Sequence, residues 1–414
     1  MMPYRESDPN ASMSNRRTLF AIACLGMLAF GIVLTTLGAV LPSVIERFGI
    51  DKAVAGSLFL LMTFGILLGS IVFGPIVDRN GYKGMLLLAL ALIVVGLEGI
   101  AFAPSMAWLR VAVSLIGFGG GIINGGTNAL VADVSADGRT AGLSLLGVFF
   151  GVGAVGVPFA LGNLLGIFSY STIIATVGAL VLVPLLLTGV TPFPAPKQPQ
   201  GFPLAAAKGL VRDPVLLLMG LMLFLESGME ITVGGWTATF FKEELQIPDQ
   251  RALVYLSLYW LGMMLARMAL GSVLRVAAPT RVMVGCIAAA LVGAFLLIAT
   301  RTTSLAALGV FLLGVGFSAT FPVVLGLVGD RYAALSGTAF SVVIVMALTG
   351  GMLLPYTTGV LGAAYGLRGS FVIVPIALVL LVTLLGLTSS RLSNTSRSSH
   401  SPLTDDRDSS LRSE

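Results

Sequence analysis

Polar residues inside otherwise apolar stretches are the ones whose types and spacing could do chemistry. Glu226 and Glu230 are four apart, so on a helix they share one face. Two carboxyls on one face disfavour double ionisation and favour keeping one proton. Both are therefore candidates for carrying a proton, Glu230 the freer of the two. Arg267 is the candidate counter-charge. At 1.5 Å per residue, Glu226 lies about 18–20 Å from the helix end at Asp213 and Arg267 about 12–15 Å from the matching end of its own helix. Those depths predict a structural Glu226–Arg267 ion pair. Each such charge at the bilayer centre costs roughly 2.5–3.5 kcal/mol on insertion scales and needs a partner or a purpose.

Asn124 and Asn128 share a face in the same way. Amides donate and accept at once, which suits the hydroxyls of a polar solute; the surrounding glycines equally suit tight helix packing with interhelical hydrogen bonds. Glu98 and Arg110 each stand six residues from Pro104, and their spacing predicts a second structural ion pair. Aromatic rings could stack on an apolar sugar face. Trp236 and Tyr259 are candidates for that contact, followed by Phe321 and Tyr356 beside Pro322 and Pro355, where the chain could bend. Tyr255 and Trp260 fit an interfacial aromatic belt.

These residues need elements to position them. Of 414 residues, 56% are hydrophobic and 10% charged, far below the roughly 25% charged of a soluble domain. Lipid must solvate such a chain, and its long continuous apolar runs select helices over a barrel. Charges and turn residues mark twelve spans, at 18–43, 54–77, 84–103, 107–132, 140–162, 169–191, 213–241, 253–276, 281–299, 303–329, 335–362 and 368–388. The first exceeds a signal-peptide apolar core and reads as a retained helix. Residues 1–17 form an N-terminal segment and 18–191 a first six-helix half; 192–212, rich in proline, is a linker. A second half covers 213–388, and the serine-rich tail 389–414 is expected to be disordered. With the N-terminus cytoplasmic, 16 of the 24 Lys and Arg fall in cytoplasmic segments and 6 in outer loops, which predicts both termini inside.

The halves repeat. Gly65, Gly74, Asp133 and Pro158 recur as Gly262, Gly271, Asp330 and Pro355, each displaced by 197 residues. After the second span stands GPIVDRNGYK, in which Gly74, Asp78, Arg79, Gly81 and Lys83 resemble the loop signature of the major facilitator superfamily. Gly74 would permit close helix approach, Gly81 a tight turn, and the charges a gate on the cytoplasmic side. In the second half Arg275 stands where the aspartate would be.

Further stretches resemble the fucose–proton symporter family of sugar permeases: GFGGGIINGGTNALVADV, GMEITVGGWTATFF, LYWLGMMLARMALG and ATFPVVLGL. Asn128, Glu230, Gly234, Trp236 and Arg267 fall on that family's pattern. The resemblance implies an all-α membrane protein of the major facilitator fold, with twelve transmembrane helices in two six-helix halves. It further implies inner-membrane transport of a small polar solute, most naturally a sugar, by alternating access, with proton coupling left open. Gly38 and Asn124 occupy positions where the fucose permease carries protonatable residues. The alternative is a drug–proton antiporter, whose helix 5 signature is partly matched by GVGAVGVP at 151–158. A receptor of transport fold is a third class. His400 is the sole histidine, and no phosphate loop or metal cluster is legible, so neither an enzyme nor a cofactor or metal is expected. The expected partners are a small-molecule substrate, membrane lipid and, if coupled, protons; no nucleic acid is expected, and the chain is expected to act as a monomer.

Overall fold

The computed structural model describes residues 9–134, 139–194, 209–210 and 212–398, so most of the linker and the end of the tail lie outside the described residues. The helices are α1 (Pro9–Phe48), α2 (Lys52–Asn80), α3 (Tyr82–Ala101), α4 (Met106–Val134), α5 (Arg139–Leu164) and α6 (Tyr170–Val190) in the first half. The second half holds α7 (Pro214–Glu244), α8 (Asp249–Val276), α9 (Pro279–Ala299), α10 (Thr303–Phe317), α11 (Thr320–Arg331), α12 (Ser336–Ser370) and α13 (Ile373–Ser398). With α10 and α11 forming one span, eleven spans among the described residues are long and apolar enough to cross a membrane, and the apolar part of α13, Ile373–Ser389, supplies a shorter twelfth.

Local chemistry sets the ends. The side chains of Asp51, Ser169 and Asp213 accept backbone N–H groups in the first turns of α2, α6 and α7, and Pro214 occupies the first position of α7. Gly81 joins α2 to α3 at φ 77° and ψ 175°, a conformation that only glycine adopts without strain. The tenth span breaks between Phe317 and Thr320 because Pro322 lacks an N–H and its ring crowds the carbonyl four residues back, at Ser318. Residues 389–398, expected to be disordered, continue α13 as helix. Extending an existing helix is far cheaper than nucleating one, so the apolar span carries its polar end along.

The 197-residue repeat extends to the packing. A Cβ on Gly117 would collide with the Met62 carbonyl, and one on Gly314 with that of Tyr259. Gly96 and Gly293 likewise approach the carbonyls of Ala112 and Gly309, while Gly119 and Gly316 approach those of Ala89 and Cys286. Every partner is displaced by the same 197 residues, so glycine brings together the same helices, α2 with α4 and α8 with α10, in each half. On the periphery, Leu180, Val183, Leu186 and Val190 of α6 are exposed, as lipid-facing residues must be.

Candidate functional site

Among the described residues the halves are joined chiefly by α1 with α7, α2 with α12, and α5 with α8. The start of α1, the end of α6, the start of α7 and the end of α13 lie on one side, here the termini side, by the even number of spans in each half. The closest backbone-to-backbone approaches between halves lie toward the opposite, far side. Gly38 meets the backbone of Gly234 and Gly235, Gly56 that of Tyr356 and Gly359, and Gly162 that of Gln250 and Val254. At the far-side mouth Lys52 pairs with Glu243 at 2.9 Å, and Lys242 pairs with Glu46 at 3.0 Å. Lys242 also reaches Asp249, at 3.0 Å. Toward the termini side the joint ends near Thr63, whose hydroxyl donates to the Gly351 carbonyl at 3.4 Å, and near Phe150. Beyond that depth Gly74, Gly147, Gly271 and Gly337, on the same joining helices, have nothing within 4 Å of a Cβ. The helices are joined on the far side and parted on the termini side.

Glu226, Glu230, Arg267 and Tyr259 gather where the joint ends. Arg267 Nη2 lies 3.3 Å from Glu230 Oε2, and its guanidinium stands 5.8 Å from the Phe150 ring of the other half. This corrects the expected Glu226–Arg267 pair. Side chains lean toward the N-terminus of their helix. On the antiparallel α7 and α8 this makes Glu230 lean toward the termini side and Arg267 toward the far side, so the two meet. Glu226 leans away from Arg267. It is fully buried; no N–H or hydroxyl donates to either carboxyl oxygen, and the neighbouring carboxyl within hydrogen-bonding reach is that of Glu230. The Arg267 Nε is also buried without a partner.

Tyr259 and Trp236 differ from their expected role as solute contacts. Both are fully buried. Tyr259 donates its hydroxyl to the Glu230 carbonyl at 3.2 Å and packs edge-on against Trp260, 4.9 Å between centroids. Trp236 donates Nε1 to the Pro355 carbonyl at 2.9 Å and packs against Phe59 of the other half. A ring enclosed on all sides braces helices. Trp260, expected in a belt, is buried too, with Phe150 at 6.3 Å.

Asn124 and Asn128 are half-buried, and Asn128 Nδ2 donates to the Asn124 backbone oxygen at 2.8 Å and to its Oδ1 at 3.2 Å. The Asn124 amide N–H groups and the Asn128 side-chain oxygen keep no partner among the described residues. Phe321 and Tyr356 are half-buried. The Glu98–Arg110 pair is not formed. Glu98 packs toward Gly178 of α6, whereas Arg110 is exposed. α4 turns Ala112 and Ile116 toward α3, and Arg110, two residues and so about 200° from Ala112, points elsewhere.

In the α2–α3 loop, Arg79 is exposed, Lys83 half-buried, and the Asp78 side chain lies outside the described residues. Gly74 makes no close approach here, against expectation, because the helices it would meet stand apart on this side. Sequence reasoning missed Phe150 and Phe59, which look like ordinary apolar residues, and the far-side ion pairs, whose members merely flank spans.

A polytopic helical fold of two repeated halves, joined on one side of the bilayer and parted on the other, defines a membrane transporter. The profile of the Major Facilitator Superfamily matches residues 23–346, and the chain belongs to that family. "Bypass of stop codon protein 6" of Saccharomyces cerevisiae is 26% identical over 289 residues, 62% of this chain and 57% of that protein. The match thus spans little more than half of that relative. Among solved structures, a mutant of the nucleoside transporter NupG superposes with a TM-score of 0.77 at 16% identity, covering 90% of this chain and 99% of that one. The D-xylose–proton symporter superposes with a TM-score of 0.74 at 16% identity, covering 89% and 96%. These likenesses concern the fold.

Proposed function

We propose that this transporter moves a small polar solute, a sugar in our reading, across the cell's inner membrane by alternating access. It works as a monomer with both termini in the cytoplasm. The reading is carried by the half-buried Asn124–Asn128 amide pair, with unused donors and an acceptor at a depth close to that of Arg267. From the termini-side helix ends at Val134 and Val276, Asn124 and Arg267 lie about 15 Å and about 14 Å deep. A polyhydroxylated solute entering from the parted side would meet amides on one half and the Glu230–Arg267 pair on the other. Rocking of the halves about that depth would then expose it to the opposite side. In this state the opening faces the cytoplasm. The Gly74 surface of the signature loop would be met by the other half when that opening closes, which gives this glycine its use.

Uptake of labelled sugars into proteoliposomes, with and without a pH gradient, tests the reading. Sugar-dependent uptake is expected. Its absence together with export of lipophilic cations would replace it by drug–proton antiport. Removing one neutral hydrogen-bonding group from the site, as in Asn124→Ala, should weaken apparent solute affinity about ten-fold, the equivalent of about 1.4 kcal/mol. Unchanged affinity would take the amide pair out of the site.

A further inference from the structure

We propose that Glu226 is the proton-binding group of this transporter, and that Arg267 links its proton to the joint between the halves by exchanging Glu230 for Glu226 as partner. The inference rests on the transport reading and adds a coupling site to it.

The geometry of Glu226 carries the argument. Its side chain is fully enclosed, no N–H or hydroxyl reaches either oxygen, and the one group within hydrogen-bonding reach is the Glu230 carboxyl, which as an anion can only accept. A carboxylate in that position would be a bare buried charge, far costlier than the neutral acid. The one cation at hand is already engaged, since Arg267 is held by Glu230 at 3.3 Å. The cluster is therefore complete with one proton: Glu226 as acid, Glu230 as carboxylate and Arg267 as guanidinium. The charged groups that act on Glu226 are Glu230 on its own helix and Arg267 on α8, and the phenol of Tyr259 on α8 adjoins the same cluster. Of the other helices packed against α7, among the described residues none adds a charge acting on Glu226.

The step is balanced. A proton leaves Glu226 Oε and is taken by Glu230 Oε one turn away. The guanidinium passes from Glu230 to the new carboxylate at Glu226. No net charge is created in the membrane. Glu230 and Arg267 keep side-chain exposures of 11% and 28%, so Glu230 can exchange the proton with water that Glu226 cannot reach. Because the same guanidinium rests on Phe150 of the opposite half, its shift disturbs a contact across the joint. Proton position and half-to-half contact are thus tied through one side chain.

Trp260 reports on this locus without any solute, lying 4.9 Å from Tyr259 and 6.3 Å from Phe150. The summed fluorescence of Trp260 and Trp236, the two buried indoles, is followed through a pH titration of the purified full-length protein in a Trp108→Phe background, since Trp108 is exposed. A reversible step is expected. It should vanish in Glu226→Gln, which keeps the shape of the neutral acid, and persist in Glu98→Gln, which alters a carboxyl facing α6. Circular dichroism and melting of each variant verify folding. A step that persists in folded Glu226→Gln, or a parent protein with no step, overturns the proposal. The titration uses protons alone, so its outcome is separate from whether a sugar is carried. In proteoliposomes, Glu226→Gln should keep solute counterflow while losing accumulation driven by a pH gradient; intact accumulation would also overturn it.

Discussion

Two glutamates and an arginine within the bilayer have to be held by geometry, because lipid offers them nothing. Glu230 and Arg267 hold each other, with the Tyr259 hydroxyl fastening the Glu230 backbone behind them. Removing one member leaves the other buried and unpaired, so Arg267→Ala should destabilise the protein by about 3 kcal/mol, while Arg267→Met combined with Glu230→Gln should recover most of the loss. Melting in detergent decides this. Equal losses in the single and double variants would mean that the pair does not hold the cluster. That an arginine and a carboxylate would pair was legible in the residue types. Which carboxylate was not, since equal depth along two straight helices ignores the opposite lean of side chains on antiparallel helices. The same limit hid the role of Trp236. An indole reads alike whether it meets solute or a neighbouring carbonyl.

Helices were the most legible level, because continuous apolar length and punctuation by Asp51, Ser169 and Asp213 follow from the bilayer and from capping alone. The break at Ser318 was foreshadowed by Pro322, and the helical start of the tail was hidden by its polar composition. Glycine spacing held more than four matched positions suggest, since the repeat governs which carbonyl each glycine rides upon. Gly117→Ala and Gly314→Ala should therefore lower the melting temperature by similar amounts, each forcing apart an equivalent helix pair by its new methyl group. Gly74→Ala and Gly271→Ala meet open space and should leave melting unchanged. The element-level repeat would be wrong if Gly117→Ala were damaging and Gly314→Ala harmless. Slowed solute uptake in Gly74→Ala, with melting intact, would show that its surface is used in the state where the termini-side opening closes.

The whole molecule rests in a state whose far side is shut by glycine contacts and by ion pairs of crossed polarity, Lys52 on the first half with Glu243 on the second and Lys242 on the second with Glu46 on the first. These members are partly exposed, so each pair contributes only about 0.2–1 kcal/mol. Together they come to about 1 kcal/mol, roughly a five-fold bias between two states. That is enough to set a resting population and small enough for solute binding to reverse. Lys52→Glu places two carboxylates face to face and should shift the population toward a parted far side; adding Glu243→Lys restores attraction and should return it. Spin labels on Ala53→Cys and Arg251→Cys, in a chain without Cys24 and Cys286, read the distance across the far-side mouth. Raising salt from 0.1 to 1 M shortens the screening length from about 10 to about 3 Å and should move the unmodified protein in the direction of Lys52→Glu, though less far. A far-side distance that ignores both charge reversal and salt would leave the glycine contacts as the whole closure. A distance restored by the charge swap assigns part of the closure to the ions, and with it a dependence of transport on the salt of the medium bathing the far side.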